Sequence, residues 1–373
     1  SMKIGVPRES AEGENRVALV PESVKSLLKK EGVEIVIESG AGDVAGHPDS
    51  QYEEAGAKVG SHADALAADL VLHVAPLSSA QIGELKQGQY LISHLSPLTS
   101  AETNNALASA GVTALAMELI PRTTRAQAMD ALSSQATAAG YAATLIAARE
   151  SGSFWGMLTT AAGTIRPARV LVLGAGVAGL QAIATAKRLG AIVTGFDIRR
   201  AAWEQIASLG GRPLELDFIP DAEDEGGYAR PLTDEENQQV RDAIDANAAK
   251  QDVIITTAAI PGRAAPTLIT AAGVANMGPG SVILDLAAET GGNCELTEPG
   301  QTVVKDGVKI VGPKNLASEL PGHASQLYAK NLENLLGLMI TEEGGLTLNF
   351  EDDIIDAATI THQGEIRGER TAR

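Results

Sequence analysis

Among the 373 residues there is one cysteine, Cys294, so no internal disulfide can form and a reducing compartment is expected. No histidine-rich neighbourhood surrounds it, and it reads as a small buried thiol rather than a nucleophile. Aromatic residues make up only 3% of the chain, which argues against an aromatic-cored β-sandwich. The two tryptophans, Trp155 and Trp203, read as packing residues. Basic residues are scarce, 29 Lys and Arg against 47 Asp and Glu, for a net charge of −18. That balance speaks against nucleic acid as a partner and suits docking to a basic protein surface. No apolar run reaches the roughly 18 residues of a membrane span, and the N-terminus shows no signal-peptide pattern. Ser1 ahead of Met2 reads as a cloning remnant, and the expectation is a chain soluble by itself.

Alanine and glycine are abundant, which suits helices packed closely on parallel sheets. The length predicts two domains of comparable size. Short β-like runs at Lys3–Val6, Val33–Glu38, Asp69–Val74, Tyr90–Ser93 and Val112–Met117 alternate with helical patterns at Glu22–Glu31, Asp64–Ala68 and Ala101–Ala110. The order implies a parallel sheet covered on both faces. The Ala-rich pattern Asp130–Arg149 predicts a long helix that could bridge two domains. A second series then begins with strand Arg169–Leu173, a glycine turn, helix Gln181–Leu189 and strand Ile192–Phe196. Further strands are expected at Val253–Thr257, Val282–Leu286 and Lys309–Val311, enough to complete a doubly wound sheet. The acidic stretch Glu215–Asp242, centred on Asp221–Tyr228, buries nothing and predicts a mobile surface loop. The chain after Pro321 is expected to return to the first domain. The fold class is therefore α/β, with two Rossmann-like doubly wound parallel-sheet domains. The first is discontinuous (1–135 and 322–373) and the second spans 136–321.

The turn Gly174-Ala175-Gly176-Val177-Ala178-Gly179 follows an apolar strand and opens a helix. In a dinucleotide-binding unit Gly174 permits the tight turn, Gly176 admits the pyrophosphate, and Gly179 allows close helix–strand packing. Free N–H groups of the helix start, at Val177 and Ala178, would face the phosphates. Asp197 stands 18 residues beyond Gly179, where a carboxylate can accept both ribose hydroxyls. A 2′-phosphate would meet a like charge there, which favours NAD(H) over NADP(H). Arg199 and Arg200 point the other way, since an arginine can accommodate that phosphate.

Beyond the turn, the chain carries Met117–Asp130 (MELIPRTTRAQAMD), continued by Ala131–Gln135 and Ala139-Gly140-Tyr141. It also carries Thr160–Thr164 (TAAGT), Gln181–Gly190, Gly226–Ala229 (GGYA), Asp285-Leu286-Ala287 and Gly291–Cys294 (GGNC). Over nearly its whole length it resembles the NAD(H)-binding component, the α1 subunit or domain I, of proton-translocating NAD(P) transhydrogenase. The resemblance implies NAD(H) as substrate and no metal. It also implies hydride transfer to NADP⁺ on a separate domain III, coupled to proton passage through a membrane domain. It implies Arg122, Gln127, Asp130 and Ser133 beside the nicotinamide, and Tyr228 on a loop that folds over bound nucleotide. Ile198 and Arg199 beside Asp197, with Gly227, complete the implied NAD(H) contacts. A homodimer is implied as well, and a cytoplasmic location attached peripherally to the inner membrane through partner subunits.

The spacing of Gln127, Asp130 and Ser133 predicts one face of a helical turn. Arg122, on the entering loop, is expected to pair with Asp130 or a nucleotide phosphate. Hydride transfer needs no separate proton shuttle, so positioning groups suffice. Alanine dehydrogenase is an alternative, because its family shares Lys3–Glu9 and Asn15–Ala18. That enzyme requires a lysine after the Asp69–Val74 strand and a histidine after Tyr90–Ser93. Here the first stretch reads His73-Val74-Ala75-Pro76, and Ser96 aligns with the histidine position, with His94 two residues away. Arg16 is expected in an ion pair near Glu9 or Glu14. A third reading is an NAD(H)-binding module inactive alone.

Overall fold

A computed structural model describes residues 1–219 and 231–373. It divides into two compact units, Ser1–Gln135 with Ala317–Arg373, and Ala136–Leu316.

In the first unit, strands β1 (Met2–Val6), β2 (Val33–Glu38), β3 (Lys58–Gly60), β4 (Leu70–Leu72), β5 (Tyr90–Ser93) and β6 (Thr113–Ala116) alternate with short helices. These are α1 (Pro21–Leu27), α2 (Asp49–Ala55), α3 (His62–Leu66), α4 (Ser79–Glu84) and α5 (Ala101–Ser109). Ser61 and Ser78 cap α3 and α4 by accepting the N–H of Asp64 and Gln81. A 3₁₀ turn, Thr124–Met129, precedes the 21-residue helix α6 (Ala131–Ser151).

The second unit contains the hairpin β7 (Leu158–Thr160) and β8 (Gly163–Ile165), then β9 (Arg169–Leu173), α7 (Val177–Arg188), β10 (Ile192–Phe196), α8 (Arg200–Ser208) and β11 (Arg212–Pro213). It continues with α9 (Asp234–Ala248), β12 (Val253–Thr256), α10 (Ala271–Ala275), β13 (Val282–Asp285), β14 (Thr302–Lys305) and β15 (Val308–Val311). The chain closes the first unit with α11 (Pro321–Leu336), α12 (Asp353–Ala358), β16 (Thr359–His362) and β17 (Glu365–Ile366).

The first sheet runs β17-β16-β6-β5-β4-β1-β2-β3, and the second β11-β10-β9-β12-β13-β15-β14. From β1 to β6 the pairing is parallel, and β16 and β17 add an antiparallel edge. In the second sheet only β14 is antiparallel. Both sheets change winding direction at their centre, between β1 and β4 and between β9 and β12. That reversal is the doubly wound signature, and its crevice lies at the strands' carboxyl ends. The central strands are buried on both faces, which explains runs such as Val170–Leu173 and Val253–Ile255 without polar alternation.

Two expectations need correction. The segment Glu215–Asp242 is not all loop, because α9 begins at Asp234. Thr233 Oγ1 accepts the Glu236 N–H while Glu236 Oε1 accepts the Thr233 N–H, and Val240, Ile244 and Ala248 bury one narrow stripe. The centre of that segment, with Gly227 and Tyr228, lies outside the described residues. Helix α7 also starts four residues before Gln181, at Val177, so the glycine turn feeds directly into its first turn.

Candidate functional site

Gly174 adopts φ +96°, and a Cβ there would lie 2.6 Å from Thr257 Oγ1. A Cβ on Gly179 would lie 1.7 Å from the Gly174 carbonyl oxygen, so only glycine fits. Gly176 caps α7, and a Cβ there would meet nothing within 4 Å, which leaves room for a ligand. The Ala175 N–H donates to Asp197 Oδ2 at 2.9 Å. The N–H groups of Gly176, Val177 and Ala178 open the 12-residue helix, where backbone donors and the positive dipole end favour an anion. From behind, Gly140 of α6 packs so closely that a Cβ would stand 2.3 Å from the Ala178 carbonyl oxygen.

Asp197 follows the end of β10 and is buried. Its Oδ1 accepts the Arg199 N–H at 2.8 Å and Arg199 Nε at 3.1 Å, so the arginine folds back on the acid. Arg200 is turned elsewhere: its Nε donates to the Ile219 carbonyl at 2.7 Å, and its guanidinium lies 4.9 Å from the Trp203 ring centre. Ile198 is exposed beside the acid. The packing role expected of Trp155 and Trp203 is observed, with Trp155 buried and Trp203 packed against the core of its unit.

In the first unit, Arg122 and Gln127 are exposed on a loop anchored by its neighbours. Arg125 forms ion pairs with Asp352 and Asp353 at the start of α12, and the Ala128 carbonyl accepts Asn331 Nδ2 at 2.9 Å. The expected helical face is not formed. The 3₁₀ turn stops at Met129, Asp130 takes ψ 89°, and Ser133 belongs to α6. Nor does Arg122 pair with Asp130. The carboxylate instead caps α6, accepting the Ser133 N–H at 3.0 Å and its hydroxyl at 2.6 Å.

A second polar cluster of that unit lies at its own switch point, where Glu9 after β1 meets Val74 and Ala75 after β4. Arg16 is in the expected ion pair, with Glu14: Nη2 to Oε1 is 2.7 Å and Nε to Oε2 is 2.9 Å, while Nη1 donates to Gln135 Oε1 at 2.8 Å. This guanidinium pulls the Glu14 pKa down to about 2 against the cost of burial. Glu9, after β1, accepts the N–H groups of Val74 and Ala75 at 3.1 and 2.9 Å. Its Oε2 lies 3.1 Å from His73 Nε2, an atom with no hydrogen-bond partner of good geometry. His73 Nδ1 faces the Ala75 carbonyl oxygen and so must be the protonated nitrogen. Burial pushes Glu9 up to about 8 and His73 down to about 4, so each buried group favours its neutral form. His94 stacks on Tyr328 at 5.3 Å and bonds the Val74 carbonyl at 2.8 Å, while Ser96 is held at φ +49°.

A doubly wound sheet with a glycine turn at its switch point and an acid after the next strand defines the dinucleotide-binding class of α/β proteins. Within it, this chain belongs to the alanine dehydrogenase/PNT family, whose N-terminal domain model matches residues 5–139 and whose C-terminal domain model matches 143–369. It is 47% identical to the first segment of the NAD(P) transhydrogenase alpha subunit of Rhodospirillum rubrum, over 98% of this chain and 97% of that one. A crystal structure of transhydrogenase from Sinorhizobium meliloti is 45% identical and superposes with a TM-score of 0.89, over 98% of this chain and 99% of that one. Alanine dehydrogenase of Mycolicibacterium smegmatis is 31% identical over 100% of this chain and 96% of that one. No described helix is long and apolar enough to cross a membrane.

The glycine positions and Asp197 were readable in the sequence because turn, strand and acid are contiguous. Gly140 and Thr257, which pack against the glycine turn, were missed, as was the Glu9–His73 pair. Their partners lie far along the chain, and only the length of the strands and helices between them brings them together.

Proposed function

We propose that this chain is the NAD(H)-binding component of a transhydrogenase. It would transfer a hydride between its own nicotinamide and that of NADP(H) on a partner domain, coupled to proton translocation in the complete membrane complex. The observation that carries the reading is the similarity, at 47% identity over nearly all of both chains, to a segment of a protein named NAD(P) transhydrogenase subunit alpha. The open helix start at Gly176–Ala178 supports pyrophosphate binding there. Asp197 is suited to grip the adenosine ribose, and Ile198, Arg199 and Gly227 to line the nucleotide.

Arg122, Gln127, Asp130 and Ser133 take the role of orienting the nicotinamide end, with Tyr228 closing over it. A hydride moves with its electron pair directly from carbon to carbon, so these groups need only hold the ring. The anchoring of Arg125 and Ala128 fits that task, since it holds the backbone still while Arg122 and Gln127 stay exposed. We further propose a homodimer attached to the membrane through its partners.

Alanine dehydrogenase is the second reading, favoured by the 31% identical relative. Against it stand the stretch His73–Pro76, which contains no lysine, and Ser96 at the histidine position. Parallel titration of the purified chain with NADH and NADPH tests the nucleotide assignment. Preference for NADH by at least about tenfold is expected, roughly 1.4 kcal/mol. Equal affinity would overturn the assignment. Robust pyruvate formation from alanine and NAD⁺ would replace the transhydrogenase reading with the second one.

A further inference from the structure

The motif Asp285–Cys294 lies outside the glycine turn and its acid, yet it is built around a fully buried carboxylate. Asp285 accepts five hydrogen bonds: from Thr256 Oγ1 at 2.8 Å, Ala287 N at 3.1 Å, Asn293 N at 2.8 Å, Cys294 N at 3.0 Å and Thr297 Oγ1 at 2.6 Å. Gly292 wraps past it at φ +85°, where a Cβ would stand 2.8 Å from Oδ2. The outcome of this wrapping is the placement of Asn293.

Asn293 is itself fully buried, and its carboxamide is saturated. Oδ1 accepts the Ala258 N–H at 3.0 Å, and Nδ2 donates to the carbonyls of Ala258 and Pro266, both at 2.8 Å. One side chain thus clamps both ends of the 259–265 loop. Between the clamped ends residues 259–264 are exposed, Ile260 among them. Its first anchor adjoins the glycine turn, because Thr257 Oγ1 lies 3.1 and 3.0 Å from the carbonyl oxygens of Leu173 and Gly174. The loop leaves the carboxyl end of β12, which flanks β9 on the side opposite β10 and Asp197. A dinucleotide whose adenosine ribose meets Asp197 lays its second nucleotide over the β12 side of the switch point.

We propose that Asn293 is a positioning residue for the nicotinamide half of NAD(H), holding the 259–265 loop as a fixed wall of that half-site. The proposal rests on the reading of the glycine turn as an NAD(H) site. The test is calorimetric titration of the full chain and its Asn293→Asp variant with NADH and with 5′-AMP, which carries only the adenosine half. Asn293→Asp keeps the shape but turns an acceptor toward two carbonyls. NADH affinity is expected to fall about tenfold, with AMP affinity unchanged. Unchanged NADH affinity, or an equal loss for both ligands, overturns the proposal alone. Failure of the wild type to bind NADH overturns the nucleotide reading and the proposal with it. If the variant does not fold, hydrogen exchange on the wild type decides the matter. NADH, but not AMP, should slow the amides of residues 259–264. No slowing, or the same slowing by both, refutes the clamp.

Discussion

The buried, neutral Glu9 and His73 give the first unit a measurable pH signature. Folded, the pair carries its proton on Glu9 from about pH 4 to about pH 8. Unfolded, with the ordinary values of 4.5 and 6.5, it also holds one proton between those pH values, now on the histidine, and none above. The pair's contribution is therefore flat from pH 4.5 to 6.5 and falls as pH rises from 6.5 through 8. Wild type should lose on the order of 1–2 kcal/mol over that upper window relative to Glu9→Gln, read as a steeper fall of the unfolding midpoint. Parallel slopes for the two proteins would rule out a protonated Glu9 in the folded state. At the nucleotide turn, Asp197→Ala should weaken NADH by about tenfold and narrow the preference over NADPH. A preserved preference would mean that another group reads the ribose. Gln127→Asn should leave NADH binding near normal and slow transfer. Lost binding with normal transfer would contradict its orienting role. The positions of these residues were partly legible: an acid after a strand announces itself, but a buried Glu–His pair 64 positions apart does not.

Among the elements, α7 and its turn tolerate least. Gly179→Ala places a methyl 1.7 Å from the Gly174 carbonyl oxygen, a backbone clash that no rotamer relieves. A loss of roughly 3 kcal/mol, with abolished NADH binding, is expected from thermal unfolding and titration of the variant. A variant as stable as wild type would show that helix and strand are not in close contact. Helix α9 illustrates what composition conceals. Its acidic surface reads as loop, and only a three-residue apolar stripe and the Thr233–Glu236 capping box make it a helix. Thr233→Ala should cost about 1 kcal/mol, checked by urea unfolding. The buried strands were legible almost to the residue, since continuous Val, Ile and Leu runs leave few alternatives. By contrast, α2, β3 and the β14 edge are too short or too exposed to carry a period.

At the scale of the whole molecule, the two units share one winding order and differ at their switch points. In the first, Glu14 pairs with Arg16, and Glu9 lies buried beside His73. In the second, the helix start at Gly176 faces open space, and the acid beside it accepts the Ala175 N–H. On the proposed reading, NAD(H) is a reactant held by the second unit rather than a cofactor serving a small substrate. The most direct measurement is NADH oxidation coupled to reduction of an NADP⁺ analogue, with and without a purified NADP(H)-binding partner domain. The account predicts sustained transfer in the mixture and negligible turnover by the chain alone. No transfer in the mixture, or alanine-dependent reduction of NAD⁺ by the chain alone, would contradict it.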